Sequence, residues 1–396
     1  MFLCRLGARR QIHLTLNSPR VVRYLHRLVR QDLHRLPHGD TVANAVARLL
    51  PEEIGTLRTD LVRSMIQKRR LEGFRLLGRD YLVTFDGSGF LALGHNASAF
   101  TEGCLTKSLG NGQTLYHRPV LEAKLVTRTG LALSVETEFV ENVRRDGQSD
   151  EAYKQDCEMK GAKRLLPRLK KAFPALPLCL LLDALYAGEP TFALCEKHQW
   201  RFIIILKEGT IPTLYREFYD LVAHAPKNTR THQTKKAKQL FRWVNHIDYG
   251  GRKLHVLECV ETPNGAAKST RWLWVTNIPV TRENCVELGN KGGRLRWKTE
   301  NEGFNVQKNG GYAMEHAYAK DPQAAKNFYL ILQIAHIFAQ LFECRMGGKK
   351  RVTHDFGSLR NLARELLRAF QNDDLPSPAD LEAFLNIPIQ VRLDTS

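Results

Sequence analysis

Residues 176–190, LPLCLLLDALYAGEP, decide how this chain folds. Between Pro177 and Pro190 runs a short apolar stretch without polar alternation, the pattern of a strand buried on both faces. It stops at one unpaired acid, Asp183. An ionised carboxylate is costly to bury alone, so its position calls for a metal ion, a cationic partner or a strand end that reaches the surface. Residues 189–199 then read as a helix and residues 201–206, RFIIIL, as a second buried strand. The unit is strand, acid, helix, strand. In open α/β sheets chemistry gathers at the carboxyl ends of the strands, where Asp183 lies.

Toward the N-terminus, residues 81–85, YLVTF, are β-branched and aromatic and run directly into Asp86-Gly87-Ser88-Gly89, which predicts a second buried strand ending on an acid, Asp86. Further strands are predicted at 90–93 and 132–139, with a less regular segment, 94–129, between them that carries His95, His117 and Arg118. A lone histidine is more often structural than catalytic, so neither is assigned a role. Residues 1–79 hold sixteen Lys and Arg against six Asp and Glu, with apolar residues at helical spacing, as in Val22, Leu25, Leu28 and Val29. Several short basic helices follow from this pattern. Breaks are expected near 36–40, where Asp40 would cap a helix starting at Thr41, and at Pro51. The local charge makes the region a candidate for DNA binding.

Toward the C-terminus, residues 151–173 have helical spacing, with Ala162, Leu165, Leu166, Leu169 and Phe173 on one side, and Pro167 should kink or split that helix. Residues 211–222 read as another helix. A basic loop, 227–238, precedes strands at 241–247, 254–260 and 271–275, with Gly250-Gly251 as a tight hairpin turn. After Gly292-Gly293, residues 294–308, RLRWKTENEGFNVQK, read as a helix on which Arg296, Glu300, Phe304 and Lys308 recur every four residues. Glu300 and Glu302 would then stand about 200° apart and cannot both face one site. Residues 322–341 and 359–370 are expected to be helical, with Phe328, Leu332, Ile334, Ile337 and Leu341 as core packing.

Charge narrows the partner. With 59 Lys and Arg against 41 Asp and Glu, a net charge of +18 and a pI near 9.6, a polyanion is the natural ligand and nucleic acid the leading one. Eight scattered cysteines without a C-x-x-C pair read as reduced thiols in a cytosolic protein, and their spacing supports no zinc site. The apolar start MFLCRLG is too short for a signal peptide, and no segment is expected to span a membrane. Trp243, Trp272, Trp274 and Trp297 read as core packing ahead of base stacking.

Two aspartates after buried strands and a glutamate on a later helix beside Arg and Lys form a set suited to hard divalent cations. Oxygen ligands suit Mg²⁺ or Mn²⁺, and two such ions roughly 4 Å apart can promote in-line phosphoryl transfer on DNA. Asp86 in YLVTFDGSG, Asp183 in LLLDALYA, the intervening KQDCE of residues 154–158 and the late RWKTENEGFNVQKN resemble the RNase H-like DDE transposases of bacterial insertion sequences. The resemblance covers about residues 80–340. It is to the subgroup with a β insertion ahead of the glutamate and a signature Y-x2-R-x3-E-x6-K, in which Arg296 and Glu300 fit R-x3-E, while Gly293 stands at the Tyr position and Gln307 at the Lys position, with Lys308 one residue later.

The resemblance implies an α/β fold: an RNase H-like mixed sheet flanked by helices, with Asp86 and Asp183 on adjacent central strands, a β insertion, and the Glu300 helix packed over the acids. It implies a basic helical DNA-binding region at 1–79, a core at 80–209 and 281–345 interrupted by a mainly β insertion at 210–280, and a C-terminal helical segment at 346–396. Family members carry more sequence ahead of the part matching Met1, so a shortened copy is also an expectation. The implied activity is cleavage at transposon ends and strand transfer into target DNA by a homodimer in a synaptic complex, associated with the bacterial nucleoid in the cytoplasm. Asp86, Asp183 and Glu300 would be the catalytic and Mg²⁺ (or Mn²⁺) ligands, and Arg296 and Lys308 DNA contacts. Asp156 and Glu158 would help start a helix near the metals; Glu315 and His316, in an EHAY run, resemble the family without an assigned role. A decayed DNA-binding remnant and an RNase H-like nuclease without strand transfer are the alternatives.

Overall fold

The computed structural model describes residues 1–93, 101–142, 156–266 and 268–372, with a few short pieces beyond. Four helices open the chain: α1 (Arg10–Leu16), α2 (Pro19–Val29), α3 (Gly39–Val46) and α4 (Pro51–Gln67). Ser18 caps α2 by accepting from the Val21 N–H at 3.3 Å, and Pro19 and Pro51 occupy first-turn positions where no amide hydrogen is needed. The cap of α3 is His38 and not Asp40, because the helix begins two residues earlier than expected. Asp40 instead lies in the first turn, where its charge complements the helix dipole.

The sheet contains ten strands among the described residues. They are β1 (Tyr81–Ala92), β2 (Leu105–Ser108), β3 (Thr114–Val126), β4 (Ala132–Phe139), β5 (Leu178–Leu182), β6 (Arg201–Ile205), β7 (Thr229–Gln233), β8 (Ala237–Tyr249), β9 (Arg252–Pro263) and β10 (Thr270–Thr276). Their order is β2-β3-β1-β5-β6-β10-β9-β8-β7, with β4 on the same side of β3 as β2. Strands β1, β5 and β6 are parallel at the centre, and the remaining pairs are antiparallel. The structure is α/β with a mixed sheet between helical layers.

Alternation explains the layering. Val83, Phe85, Leu180, Leu182, Phe202 and Ile204 join one core with α4, α5 (Glu158–Ala172), α6 (Glu189–His198) and α7 (Pro212–Ala223). Leu82, Cys179, Leu181 and Ile203 point to the opposite face, onto Leu288 and Leu295. Each fully buried leucine of β5 contributes about 1.5–3 kcal/mol relative to exposure. On that second face follow α8 (Cys285–Glu287), a coiled segment to Phe304, α9 (Asn305–Asn309) and the long α10 (Pro322–Arg345). Two further helices follow, α11 (Gly348–Phe356) and α12 (Leu359–Asn372). No helix among the described residues is long and apolar enough to cross a membrane.

Four expectations are corrected. Strand β1 does not end at Asp86: it runs through to Ala92 with a bulge between Gly89 and Leu91, so the strand predicted at 90–93 is its continuation. The segment 94–129, expected to be irregular, contains β2 and the thirteen-residue β3, which Arg118, Glu122 and Lys124 disguise by burying charge at sheet positions. The basic stretch 227–238 is not all loop, since β7 forms within it as the sheet's edge. Pro167 does not split α5, whose Leu165, Leu166 and Leu169 are held in the core on either side of it. The β8–β9 hairpin turns as expected at Gly250 and Gly251, which both take positive φ in a two-residue loop closed by Tyr249 and Arg252. Through β10 on β6 it continues the central sheet. Residues 151–155, His95 and the first two positions of KQDCE lie outside the described residues.

Candidate active site

The parallel ladder between β1 and β5 ends at Thr84 and Leu181, and Asp86 and Asp183 each lie two residues beyond that last pair. Asp183 follows the last residue of β5, Asp86 lies within β1 just past the part that pairs with β5, and both are half-buried. Each turns one carboxylate oxygen onto the next amide: Asp86 Oδ1 accepts from Gly87 N at 2.9 Å and Asp183 Oδ1 from Ala184 N at 2.7 Å. The shared local geometry fixes one oxygen of each, and the second oxygen of Asp86 faces Arg296.

The Glu300 segment packs against β1 from the second face. It is not the regular helix expected: Gly293–Trp297 is 3₁₀ and Thr299–Phe304 is a π-turn before α9 begins. The glycines explain the departure. A Cβ on Gly293 would lie 2.5 Å from Cε2 and Nε1 of Trp274, and a Cβ on Gly303 would lie 2.9 Å from Cε of Lys124, so the chain passes closer to the sheet than a side-chain-bearing helix allows. Trp274 therefore fills the space that a side chain at 293 would need. Glu302 turns away to Lys298, at 3.3 Å, and to Lys349 of α11, and these two lysines hold its carboxyl below the usual range against the effect of burial. Glu300 is exposed and close enough to Asp86 to raise the proton affinity of that acid.

Electrostatics converge on Asp86. Burial, reinforced by Glu158 and Glu300, pushes its carboxyl up to about 6, although Arg296 and the Gly87 amide pull the other way. Arg296 itself is buried, with Nη1 3.6 Å from Asp86 Oδ2 and its guanidinium stacked 4.4 Å over the ring of Trp297. Its position is that of an internal counter-ion to Asp86. Lys308 pairs with Glu315 at 2.8 Å, while Gln307 is fully buried and bonds to Gln333 and His336. Of the four tryptophans expected in the core, Trp243 and Trp274 are buried and Trp272 is half-buried, but Trp297 is exposed with its ring against Arg296.

Two further groups stand at the site beside the three expected acids. Glu158 opens α5 and stands against Gly87, where an added Cβ would meet its Oε2 at 2.5 Å. The Tyr186 hydroxyl, in the 3₁₀ turn after Asp183, donates to the Glu158 carboxylate, and burial followed by this acid raises the phenol well above its ordinary range. The only sequence signals were the KQDCE resemblance and the tyrosine three positions after Asp183. Behind the site lies a buried polar layer. Glu122, directly opposite Asp86 in the β1–β3 pair, accepts from Ser134, Thr137 and Tyr329, and Lys124 donates to Gln333 at 2.8 Å.

The donor chemistry fits a hard divalent cation, since Asp86, Asp183, Glu158 and Glu300 offer only carboxylate oxygens and the raised proton affinity of Asp86 is what a cation would offset. Among the described residues no three His, Cys, Asp or Glu side chains stand close enough to hold one ion. The acids are gathered without forming a finished ligand cage. No protein-family model and no curated protein matches the chain.

Proposed function

We propose that this chain is an RNase H-like DDE transposase that cleaves DNA at transposon ends and joins them to target DNA. The observation that carries the reading is the position of Asp86 and Asp183, each two residues past the last pair of the parallel β1–β5 ladder at the centre of the sheet, with the Glu300 segment laid against β1. Two Mg²⁺ or Mn²⁺ ions held by Asp86, Asp183 and Glu300 would supply activation of the attacking oxygen and stabilisation of the leaving one. The chain's own residues do the rest. Arg296 favours the ionised form of Asp86, the Gly87 and Ala184 amides orient the two aspartates, and Tyr186 holds Glu158 at their side. The net positive charge supplies the grip on phosphate, with Lys308 as a contact the resemblance implies, while Arg296, which the resemblance also assigns to DNA, is buried against Asp86; a homodimer on two ends and a nucleoid location in a bacterial cytoplasm belong to the same reading.

One observation favours a second reading. The Arg296 pairing with Asp86 also suits a DNA-binding remnant that no longer cleaves. The deciding assay incubates linear DNA carrying the repeats that flank the gene with the protein, with and without Mg²⁺. Metal-dependent nicking at the repeat ends, lost in Asp86→Asn and Asp183→Asn while DNA binding persists, supports the transposase. Binding without cleavage supports the remnant, and undiminished cleavage by either variant overturns the site.

A further inference from the structure

The two ends of the described chain meet. Leu16, Val21, Val22 and Leu36 form a small core of their own, closed by Leu367 and Phe370 of α12. Tyr24 packs edge-on to Phe370 at 6.1 Å, Arg20 donates to the Asn372 carbonyl at 2.6 Å, and Gln371 donates to the Thr15 carbonyl. Helices more than three hundred residues apart in sequence are thus one structural unit.

That unit is basic on its outside. In α2 and at its C-cap, Arg23, Arg27 and Arg30 recur at intervals of four and three, are all exposed, and stand opposite Val21 and Val22. In α12, Arg360 and Arg364 are exposed one turn apart, on a helix whose Leu362 and Ala363 are buried. Residues 345–372 carry seven Lys and Arg against two Asp and Glu. The chain around this unit is also fastened to the candidate catalytic segment, at its middle and just past its C-terminal end. Lys349 of α11 grips Glu302, and Arg5 donates to the Gly310 carbonyl at 2.9 Å while pairing with Glu343 of α10 at 3.5 Å.

We infer that the C-terminal helix α12 is part of the DNA-binding surface, so that duplex phosphates are held by arginines from both ends of the chain and the bound duplex is set at a fixed offset from Asp86 and Asp183. Charge complementarity selects the occupant: rows of exposed arginines on rigid helices fit the regularly spaced phosphates of a duplex. The inference rests on the proposed function for the identity of the polyanion.

The test uses the full chain and a duplex of about 40 base pairs, with affinity measured between about 50 and 200 mM salt. Arg360→Gln/Arg364→Gln and Arg23→Gln/Arg27→Gln are compared with the parent. Both pairs are exposed, and an unchanged melting temperature verifies the fold. Each pair is expected to weaken binding severalfold at low salt and to reduce the slope of log affinity against log salt by about 1–2. An α12 variant with the parent's slope, alongside an α2 variant with a lowered one, overturns the inference and leaves DNA binding to the N-terminal helices alone. Parent protein that binds vesicles of anionic phospholipid and not the duplex overturns it too. If both slopes fall and no cleavage occurs in the repeat-end assay, the inference stands while the transposase reading fails.

Discussion

Asp86 concentrates the chemistry and the cost of this site. Its carboxyl is pushed up to about 6 in the folded chain, above the ordinary 3.8, so between those values the folded state binds a proton more readily than the unfolded one. The contribution of Asp86 to stability is therefore complete below about pH 4 and is lost as pH rises through about 6. Asp86→Asn should stabilise the protein by about 1–2 kcal/mol at pH 8, and the gain should vanish near pH 4, as read by chemical denaturation at both pH values. A variant less stable than the parent at pH 8 would contradict this electrostatic account. The two late glutamates should separate cleanly. Glu300→Gln is expected to lower Mg²⁺-dependent cleavage by about a thousandfold with an unchanged melting curve. Glu302→Gln, which loses its two lysines, should cost about 1 kcal/mol of stability and keep cleavage within about threefold.

At the scale of elements, the segment 288–309 owes its shape to what lies beneath it. Trp274 and Lys124 occupy the volume that side chains at 293 and 303 would take, and the backbone answers with 3₁₀ and π turns. Gly293→Ala should destabilise the fold by about 1–3 kcal/mol, and the cost should shrink when Trp274 is also changed to Val, a coupling that a double-mutant cycle measures. Equal costs in both backgrounds would mean that Trp274 is not the obstacle. The same elements show why reading the sequence succeeded in part. β5, β6 and the β8–β9 hairpin were legible because their apolar runs and the Gly250-Gly251 turn are local signals. β3 was not, because Glu122 and Lys124 sit at buried sheet positions whose partners, Tyr329 and Gln333, arrive from a helix two hundred residues later.

For the whole molecule, the acids matter only if the sheet holds them together. Mg²⁺ should raise the melting temperature of the parent at pH 7.5, where Asp86 is ionised, and the rise should be lost in Asp183→Asn, as followed by thermal denaturation. An equal rise in that variant would place the cation elsewhere. What the sequence by itself determined is the succession of buried strands, the acid Asp183 that follows one of them, and a charge balance that favours a polyanion, because runs, spacings and counts are properties of the chain. Only the tertiary structure decided that Asp86 lies within a longer strand, that Glu158, Tyr186 and Arg296 gather around it, and that the first and last helices pack together. Those facts depend on which surfaces meet across long separations, and no local pattern records that.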